Sequence, residues 1–576
     1  MASFSSLHIG VSALNVSQAA LNVTSHNLAN VDTKGFVRQQ TVITDFQYIK
    51  WGESHLSSMQ RGLGANFAEV KQVRDTFLDQ AYRQEIGRQA FYEAQYATIN
   101  EIEGLFGELE GVQFQNTIKE LWEALQELTR EPDNIVARAS FIQTAVSFVE
   151  RADRIYSQMN DYQINLNTKI LDQVNRINEI GNEIRELNIK IRHYESSGVE
   201  KANDLRDNRN LLLDELSEMV GITYKENAAG VVTVNVEGVP FVTEDTVYRM
   251  DTVPVNDNTQ MLKPIWVAHG YVDVYNLDTP PSSMKNTDIG SLKGLLTARG
   301  HKQANYTDIP VRDRYETEKQ YQDAVNVYNN VVNPSIMMTV QAQFDQLIHG
   351  IVTMINDTLC PNKEITLADD SKIWVLDEEN APVGMDTHKI MGEALFSRKS
   401  TPRYTDYQDV QIINAEGDIE TISVRIYIEE DPTDNYTLYT LGEIEVNPNI
   451  LQNNSYLPLS KNDGTGAYDI EMAQRLLANW KKPFATLSPN SLTLNNINEY
   501  YIAFISEIAN RGEQMHTISL NQMSMVDSID NKRTEVTGVS SDEELTNLIK
   551  FQHSFNAAAR YINVVSEMLE HIIMRL

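Results

Sequence analysis

The segment from Met1 to Val31 contains no Asp, Glu, Lys or Arg, and this absence limits how the chain can fold. Within it Leu7, Leu14, Leu21 and Leu28 recur every seven residues, and Val11 lies between two of them. A second apolar stripe comprises Ile9, Val16 and Val23. Because a helix at a protein surface usually keeps a charged face, we predict a helix buried among several neighbours. A plain N-terminal core helix is the alternative.

The C-terminal segment carries a matching heptad pattern. Gaps of three and four residues alternate between the apolar or small positions Leu548, Phe551, Phe555, Ala558, Ile562, Val565, Leu569, Ile572 and Leu576. A heptad sustained over this length is typical of a coiled coil. We expect the two terminal helices to pair, which would make their domain discontinuous. Packing of each helix elsewhere is the alternative.

The middle of the chain alternates between helical and strand patterns. Residues 68–130 have a helical pattern interrupted at Gly104, Gly107 and Gly111, and a turn at 131–134 precedes a predicted helix over 135–195. A shorter helix is predicted over 203–219, a return helix over 313–359, and helix from about 491 to the end with a break near Gly538. Period-two segments predict strands at 231–236, 241–243, 265–267, 272–275, 373–376, 410–413 and 422–428.

These patterns predict a multidomain α+β fold. It would have a discontinuous N- and C-terminal helical coiled-coil domain, a helical rod-like middle domain, and outer strand-rich domains inserted between them. The predicted domains are 1–67 with 535–576, 68–221 with 486–534, 222–363 with its return helix, and a variable mixed, strand-rich insertion over 364–485.

Charge and cysteine content exclude several classes of protein. The chain has 48 basic and 80 acidic residues, a formal charge of −32, which argues against partners such as nucleic acid or an anionic membrane. Cys360 is the single cysteine, so no intrachain disulfide is expected. No cationic, apolar leader precedes Lys34 and no run of 18 apolar residues occurs, so we expect neither a secretory signal nor a spanning helix.

The sequence offers no recognisable catalytic motif. It lacks the glycine-rich phosphate loops, the H-E-x-x-H zinc motif and the G-x-S-x-G nucleophile turn. The acidic turns at 369–370 and 377–379 could hold calcium loosely, but solvated turns are the simpler interpretation. We therefore predict no catalytic residues, no cofactor, no metal site and no enzymatic activity.

Two terminal segments carry a family resemblance. Residues 12–22, Ser-Ala-Leu-Asn-Val-Ser-Gln-Ala-Ala-Leu-Asn, are followed at 27–36 by Asn-Leu-Ala-Asn-Val-Asp-Thr-Lys-Gly-Phe. This pattern resembles the N-terminal motif of the bacterial flagellar rod and hook axial proteins. Asn30 is expected to end the helix, Thr33 to stabilise the turn, Gly35 to allow a sharp bend, and Phe36 to pack back.

Three further segments favour the hook-associated, hook–filament junction members of that family. Residues 35–40, Gly-Phe-Val-Arg-Gln-Gln, resemble the continuation of the N-terminal motif in those members. The run from Val539 to Leu576 resembles their C-terminal segment. The most specific match is 202–216, whose motif residues are Asn203, Asp204, Leu205, Arg206, Asp207 and Arg209.

The resemblance implies a secreted structural adaptor at the hook–filament junction of an extracellular flagellum. The implied partners are further copies in a ring-like helical assembly, the hook protein, the next junction protein toward the filament, the type III export apparatus, and an export chaperone at the C-terminal region. The implied assembly interface comprises Leu7, Val11, Leu14, Leu21, Asn27, Leu28, Asn30, Gly35, Phe36, Leu548, Phe551, Phe555, Ile562, Val565, Leu569 and Ile572.

Two alternatives stay open. One is a hook or rod structural protein of the same family, which the 203–216 segment disfavours. The other is a flagellar axial protein whose central insertion has a binding or enzymatic activity.

Overall fold

The computed structural model describes residues 2–54, 57–107, 114–198, 200–256, 259–413, 419–463, 465 and 467–575. Its helices are α1 Ala2–Ala29, α2 Thr76–Phe106, α3 Phe114–Arg130, α4 Ile135–Glu195, α5 Asn203–Met219, α6 Ser291–Arg299, α7 Glu318–Val327, α8 Ile336–Leu359, α9 Pro448–Gln452, α10 Ile470–Trp480, α11 Ile497–Thr537 and α12 Ser541–Arg575.

The strands form small antiparallel sheets of two or three strands. They are β1 Gln39–Asp45, β2 Tyr48–Ser54, β3 Ser57–Gly62, β4 Ala65–Gln72, β5 Ile222–Glu226, β6 Val232–Val236, β7 Val239–Val242, β8 Met250–Pro254, β9 Leu262–Trp266, β10 Val272–Asp273, β11 Asn362–Thr366, β12 Lys372–Leu376, β13 Phe396–Arg398, β14 Gln408–Ile413, β15 Ile419–Val424 and β16 Ile444–Val446. This combination of long helices and small sheets confirms the α+β prediction.

Helices α1 and α12 pack against each other, which confirms the predicted pairing of the two ends. The buried residues of α1 are mostly small or polar, namely Gly10, Val16, Ser17, Ala20, Thr24 and Asn27. On α12, Ala558 and Val565 are buried. The four heptad leucines of α1 are only half-buried, whereas Gly10 lies directly against Ile562 and Tyr561 of α12. A small residue at this position lets the two helices approach closely.

The helix predicted from residue 68 is wrong at its start. Strand β4 continues to Gln72, and β1 pairs with it, while β2 and β3 form a separate hairpin. The side chain of Asp75 accepts hydrogen bonds from the backbone N–H groups of Phe77 and Leu78, so α2 begins at Thr76. The sequence between Gln39 and Gln72 therefore adds strands beside the terminal helices, which the sequence analysis missed.

The long helix predicted over 135–195 is confirmed at both ends. The side chain of Asn134 accepts from the N–H of Val136, and α4 ends at Glu195. Gly107 has φ +65° and closes α2, which confirms one of the three predicted breaks. The break predicted at Gly104 is wrong, because Gly104 lies in the last turn of α2, and Gly111 lies outside the described residues. The break near Gly538 is also confirmed, between α11 and α12.

Two other predictions need correction. The return helix is interrupted by a π-helical turn at Tyr328–Val332 and by Pro334, which lacks an N–H to continue the helix. The mixed region contains α9 and α10, although its sequence was assigned mainly to strands. Trp480 at the end of α10 stacks on Trp122 of α3, with ring centroids 5.3 Å apart.

One continuous apolar core links the described helices of the middle of the chain. Its aromatic centre brings together Phe106 of α2, Phe114 of α3, Phe344 of α8 and Phe504 of α11. Because Phe106 and Phe504 meet in this core although almost 400 residues separate them in the sequence, the core fixes α2 and α11 together.

Candidate assembly site

The turn after α1 is built as its sequence predicts. Asn30 donates from Nδ2 to the His26 carbonyl at 2.9 Å, and the Thr33 hydroxyl donates to Asn30 Oδ1 at 3.1 Å. The rings of His26 and Phe36 meet edge to face, with centroids 5.4 Å apart. The chain therefore reverses immediately after α1 and returns along it.

Gly35 is required at this turn for two reasons. Its φ is +80°, in the left-handed region that favours glycine. A Cβ at this position would also lie 2.5 Å from Leu211 Cγ on α5. The turn thus rests directly on the helix that carries the most specific family segment.

Asn27 joins three parts of the chain. Its Oδ1 accepts from the Gln39 N–H at 3.1 Å, and its Nδ2 donates to the Gln39 carbonyl at 2.8 Å and to Glu544 Oε2 at 3.2 Å. Arg38 donates to Glu544 at 2.9 Å and pairs with Glu543 at 2.9 Å, while its N–H donates to the Thr537 carbonyl. Residues near both chain ends are therefore held in one buried polar cluster.

Asp207 connects this cluster to α5. Its carboxylate accepts from the Val37 N–H at 3.2 Å and from Gln72 Nε2 at 2.7 Å, and Arg74 lies 4.0 Å away. Burial raises the pKa of Asp207 to about 7, against the opposing effects of these donors and of Arg74. Asp204 on the same helix accepts from Gln39 Nε2 at 3.3 Å and lies 3.5 Å from His26 Nε2.

The other residues of the α5 motif have structural contacts. Asn203 donates to the Val70 carbonyl of β4 at 3.3 Å. Arg206 pairs with Glu195 and Glu226 at 2.7 Å each, and Leu205 is half-buried. Buried Arg209 donates to Asn188 Oδ1, the Gly230 carbonyl and Glu226. The motif therefore fixes α5 to α4 and to the sheet beginning at β5.

A network of buried charges below the turn was missed by sequence reasoning. Arg533 of α11 pairs with Asp79 at 3.0 Å and with Asp214 at 2.5 Å, and Arg83 also pairs with Asp214 at 2.7 Å. These residues join α2, α5 and α11. The sequence signal for this network was the spacing of Asp79 and Arg83, four residues apart, which places both charges on one face of α2.

The terminal helices also leave large surfaces uncovered. The buried or half-buried heptad residues of α12 are Leu548, Phe551, Phe555, Ala558, Ile562, Val565 and Leu569, whereas Ile572 is 52% exposed. Val11 of α1 is 41% exposed. Further exposed apolar residues of α12 are Leu545, Ile549, Tyr561, Val564, Met568, Ile573 and Met574. The predicted interface contains only the heptad positions and leaves these residues out, although Tyr561, Val564 and Met568 also have helical spacing. Tyr561 lies at the edge of the helix pair, where its ring is close to Gly10 of α1. Leu576 lies outside the described residues.

Within the described ranges, no group of three or more His, Cys, Asp or Glu side chains is arranged to hold a metal ion. Among the same residues, no helix carries an apolar stretch long enough to cross a bilayer. The clustered side chains at the turn are hydrogen-bonded to one another, so this region has the features of a structural joint rather than of a catalytic centre.

Three known families match this chain, one at each end and one in the middle, in the same regions as the sequence motifs. The family described as "Flagellar hook-associated protein FlgK helical domain" matches residues 99–359. "Flagella basal body rod protein" matches residues 7–36, and "Flagellar basal body rod FlgEFG protein C-terminal" matches residues 530–575.

Individual relatives match over nearly the whole length. Flagellar hook-associated protein 1 of Bacillus subtilis is 22% identical over 577 residues, covering 99% of this chain and 98% of that protein. The Escherichia coli protein of the same name is also 22% identical, with 98% of each chain covered.

A solved structure supports the fold. The flagellar hook junction protein FlgK from Burkholderia pseudomallei superposes with a TM-score of 0.52 at 12% identity, covering 80% of this chain and 100% of that chain. Both terminal motifs, the α5 segment and the helical middle are thereby accounted for, and the chain is similar over almost its whole length to bacterial flagellar hook-associated protein 1.

Proposed function

We propose that this chain is a structural adaptor of the bacterial flagellum that joins hook to filament through α1 and α12. The observation that supports this most directly is the exposed apolar face of α12 beside an uncharged α1. Monomeric proteins rarely expose an apolar stripe of this length, and such stripes mark interaction surfaces. Each large apolar side chain buried on assembly would contribute about 1.5–3 kcal/mol.

Further copies of the same chain are the first proposed partner. A paired α1 and α12 presents different surfaces on its two sides, so contacts between copies would be head to tail and would generate a ring or helix. The proposed interface keeps the residues predicted from the sequence. The exposed apolar residues of α12 are added to it.

The neighbours along the flagellum are proposed from the relatives. Their names refer to the hook and its junction, so the hook protein would lie on one side and the next junction protein on the other. We keep the four predicted domains as part of the proposal, with the terminal domain at the tube wall and the strand-rich blocks outside.

Export and location follow from the same proposal. The subunit would leave through the type III export apparatus and act outside the cell. Its C-terminal apolar face would need cover before assembly, which supports an export chaperone bound at α12. We expect no enzymatic activity and no cofactor.

A rod or hook protein is the competing candidate, because families of those proteins match both ends. The match of residues 99–359 to a hook-associated helical domain favours the junction role. The deciding experiment is electron microscopy of cells that lack the gene, with flagellin assayed in the medium. Bare hooks with free flagellin would support the junction role, missing hooks would favour a rod or hook role, and normal filaments would contradict both.

A further inference from the structure

A cleft of about 730 Å³ lies between the C-terminal end of α8 and the mixed region that follows it. Its walls include Asp357 of α8, Asn362 of β11, Trp374 of β12, and Tyr427 and Glu429 beyond β15. Apart from Asp357, these residues lie outside the segments that match known families, and none belongs to the assembly site.

Trp374 presents an aromatic surface to this cleft. Its side chain is 42% exposed, although it lies on a paired strand whose next two residues, Val375 and Leu376, are buried. The neighbouring Tyr306 ring is already covered, by His349 on one side and by the Arg314 guanidinium. The ring of Tyr427 is half-buried, and the Arg403 guanidinium lies over it at 5.0 Å from the centroid. Trp374 is therefore the most exposed of these three rings and the one that we expect to stack on a ligand.

The polar groups around Trp374 are held in place from behind. Asp357 accepts from buried Arg403 at 2.6 Å, and Asn362 Oδ1 accepts from the Tyr404 hydroxyl at 2.7 Å. Glu430 accepts from the Tyr439 N–H at 2.8 Å and lies 3.0 Å from His349 Nε2. These hydrogen bonds engage part of the bonding capacity of each side chain and fix its orientation.

Hydrogen-bonding capacity remains on the cleft side. The amide nitrogen of Asn362 and both carboxylate oxygens of exposed Glu429 have no partner among the described residues. The second oxygen of Asp357 is likewise unused. A cleft with one exposed ring and several fixed donors and acceptors suits a ligand with an apolar face and a rim of hydroxyl groups.

We propose that this cleft binds a neutral oligosaccharide, with a pyranose ring stacked on Trp374 and its hydroxyl groups bonded to Asn362, Asp357 and Glu429. The three carboxylates disfavour phosphate or another anion. Arg403 pairs with Asp357, and Arg314 also lines the cleft, so these two cations reduce what a cationic peptide gains from the carboxylates. The site is independent of hook–filament joining, and its failure would leave that function untouched.

The test uses the full-length monomer and calorimetric titration with neutral hexasaccharides of glucose, mannose and N-acetylglucosamine, and separately with hexalysine. We expect at least one sugar to bind with a Kd below about 1 mM. Trp374→Ala should weaken that binding by about tenfold or more, and Trp374→Phe by less. Tyr271→Ala, which removes an exposed ring outside the cleft, should leave it unchanged. Binding of hexalysine alone, no binding of any sugar, or undiminished binding by Trp374→Ala would overturn the proposal.

Discussion

Gly10 of the first helix lies against Ile562 of the last, so close that a Cβ at position 10 would come within 2.7 Å of Ile562 Cγ1. The two residues are separated by almost the whole chain. Their contact limits how near α1 and α12 approach at this point, and it explains why position 10 of α1 is a glycine.

Gly10→Val should therefore loosen the terminal pair. Overpacking at such a contact costs about 1–3 kcal/mol, and Ile562→Ala should recover part of it in the double variant. Amide hydrogen exchange in α1 and α12 measures the effect, with faster exchange expected in the single variant. Gly104→Ala is the matched control, because no atom lies within 4 Å of a Cβ at that helical position. Equal exchange in Gly10→Val and wild type would contradict the described packing.

Substitutions at three consecutive residues of α12 distinguish the pairing of α1 with α12 from the assembly of copies. Val565 is buried, Val564 is 48% exposed, and Asn563 is exposed and polar. Val565→Asp should open the pair and abolish assembly, because it buries an unpaired charge. Val564→Asp should leave hydrogen exchange of the monomer unchanged and still block assembly. Asn563→Asp should affect neither.

The measurement is complementation of a deletion strain, scored by filaments and by export of the variant into the medium. Export without filament attachment is expected for Val564→Asp. Normal filaments in that variant would exclude this face of α12 from the interface. Leu14→Asp tests α1 in the same way, at a half-buried position beside the seam.

Asn27 should tolerate no acidic replacement. Asn27→Asp loses the donor to the Gln39 carbonyl and places a carboxylate beside Glu544, 3.2 Å from the atom it replaces. A buried hydrogen bond lost in this way costs about 1–3 kcal/mol, and the added charge increases the penalty. Hydrogen exchange at Gln39 and at the start of α12 should rise at least tenfold, and Glu544→Gln should restore part of the protection. Asn22→Asp, at an exposed position of α1, is the control. Unchanged protection at Gln39 in Asn27→Asp would show that this bond is dispensable.

The sequence predicted the long elements better than the joints between them. Heptads and caps located α1, α4 and α12, because their apolar periods extend over many turns. The strands at 39–72 were missed, since they are short and pair across a hairpin rather than along one periodic face. The motif residues Asn27, Gly35 and Asp207 were identified from local patterns and a family resemblance. Their contacts with Glu544, Leu211 and Gln72 exist only in the folded chain.

Asp207 should make the joint between α5 and the turn sensitive to pH. Its pKa is raised by burial from the ordinary value near 3.8 to about 7 in the folded chain. A carboxyl group whose folded pKa is raised favours the native state fully below pH 4, and this contribution is lost as the pH rises through 7. The groups that face the Asp207 carboxylate are Gln72 at the end of β4, Arg74 two residues later, the Val37 N–H, and Asp204 on α5.

Asp207→Asn removes the titrating group and keeps most of the side-chain shape. As the pH rises from 5.5 to 8.5, hydrogen exchange at Val37 and Gln39, corrected for intrinsic rates, should become faster in wild type but not in Asp207→Asn. The reason is that wild type loses about 1 kcal/mol or more of local stability over this range. Asp172→Asn, at an exposed position of α4, should behave as wild type. If wild type and Asp207→Asn show the same pH dependence, Asp207 does not titrate near neutrality. In that case Arg74 and the hydrogen-bond donors to Asp207 lower its pKa by more than burial raises it.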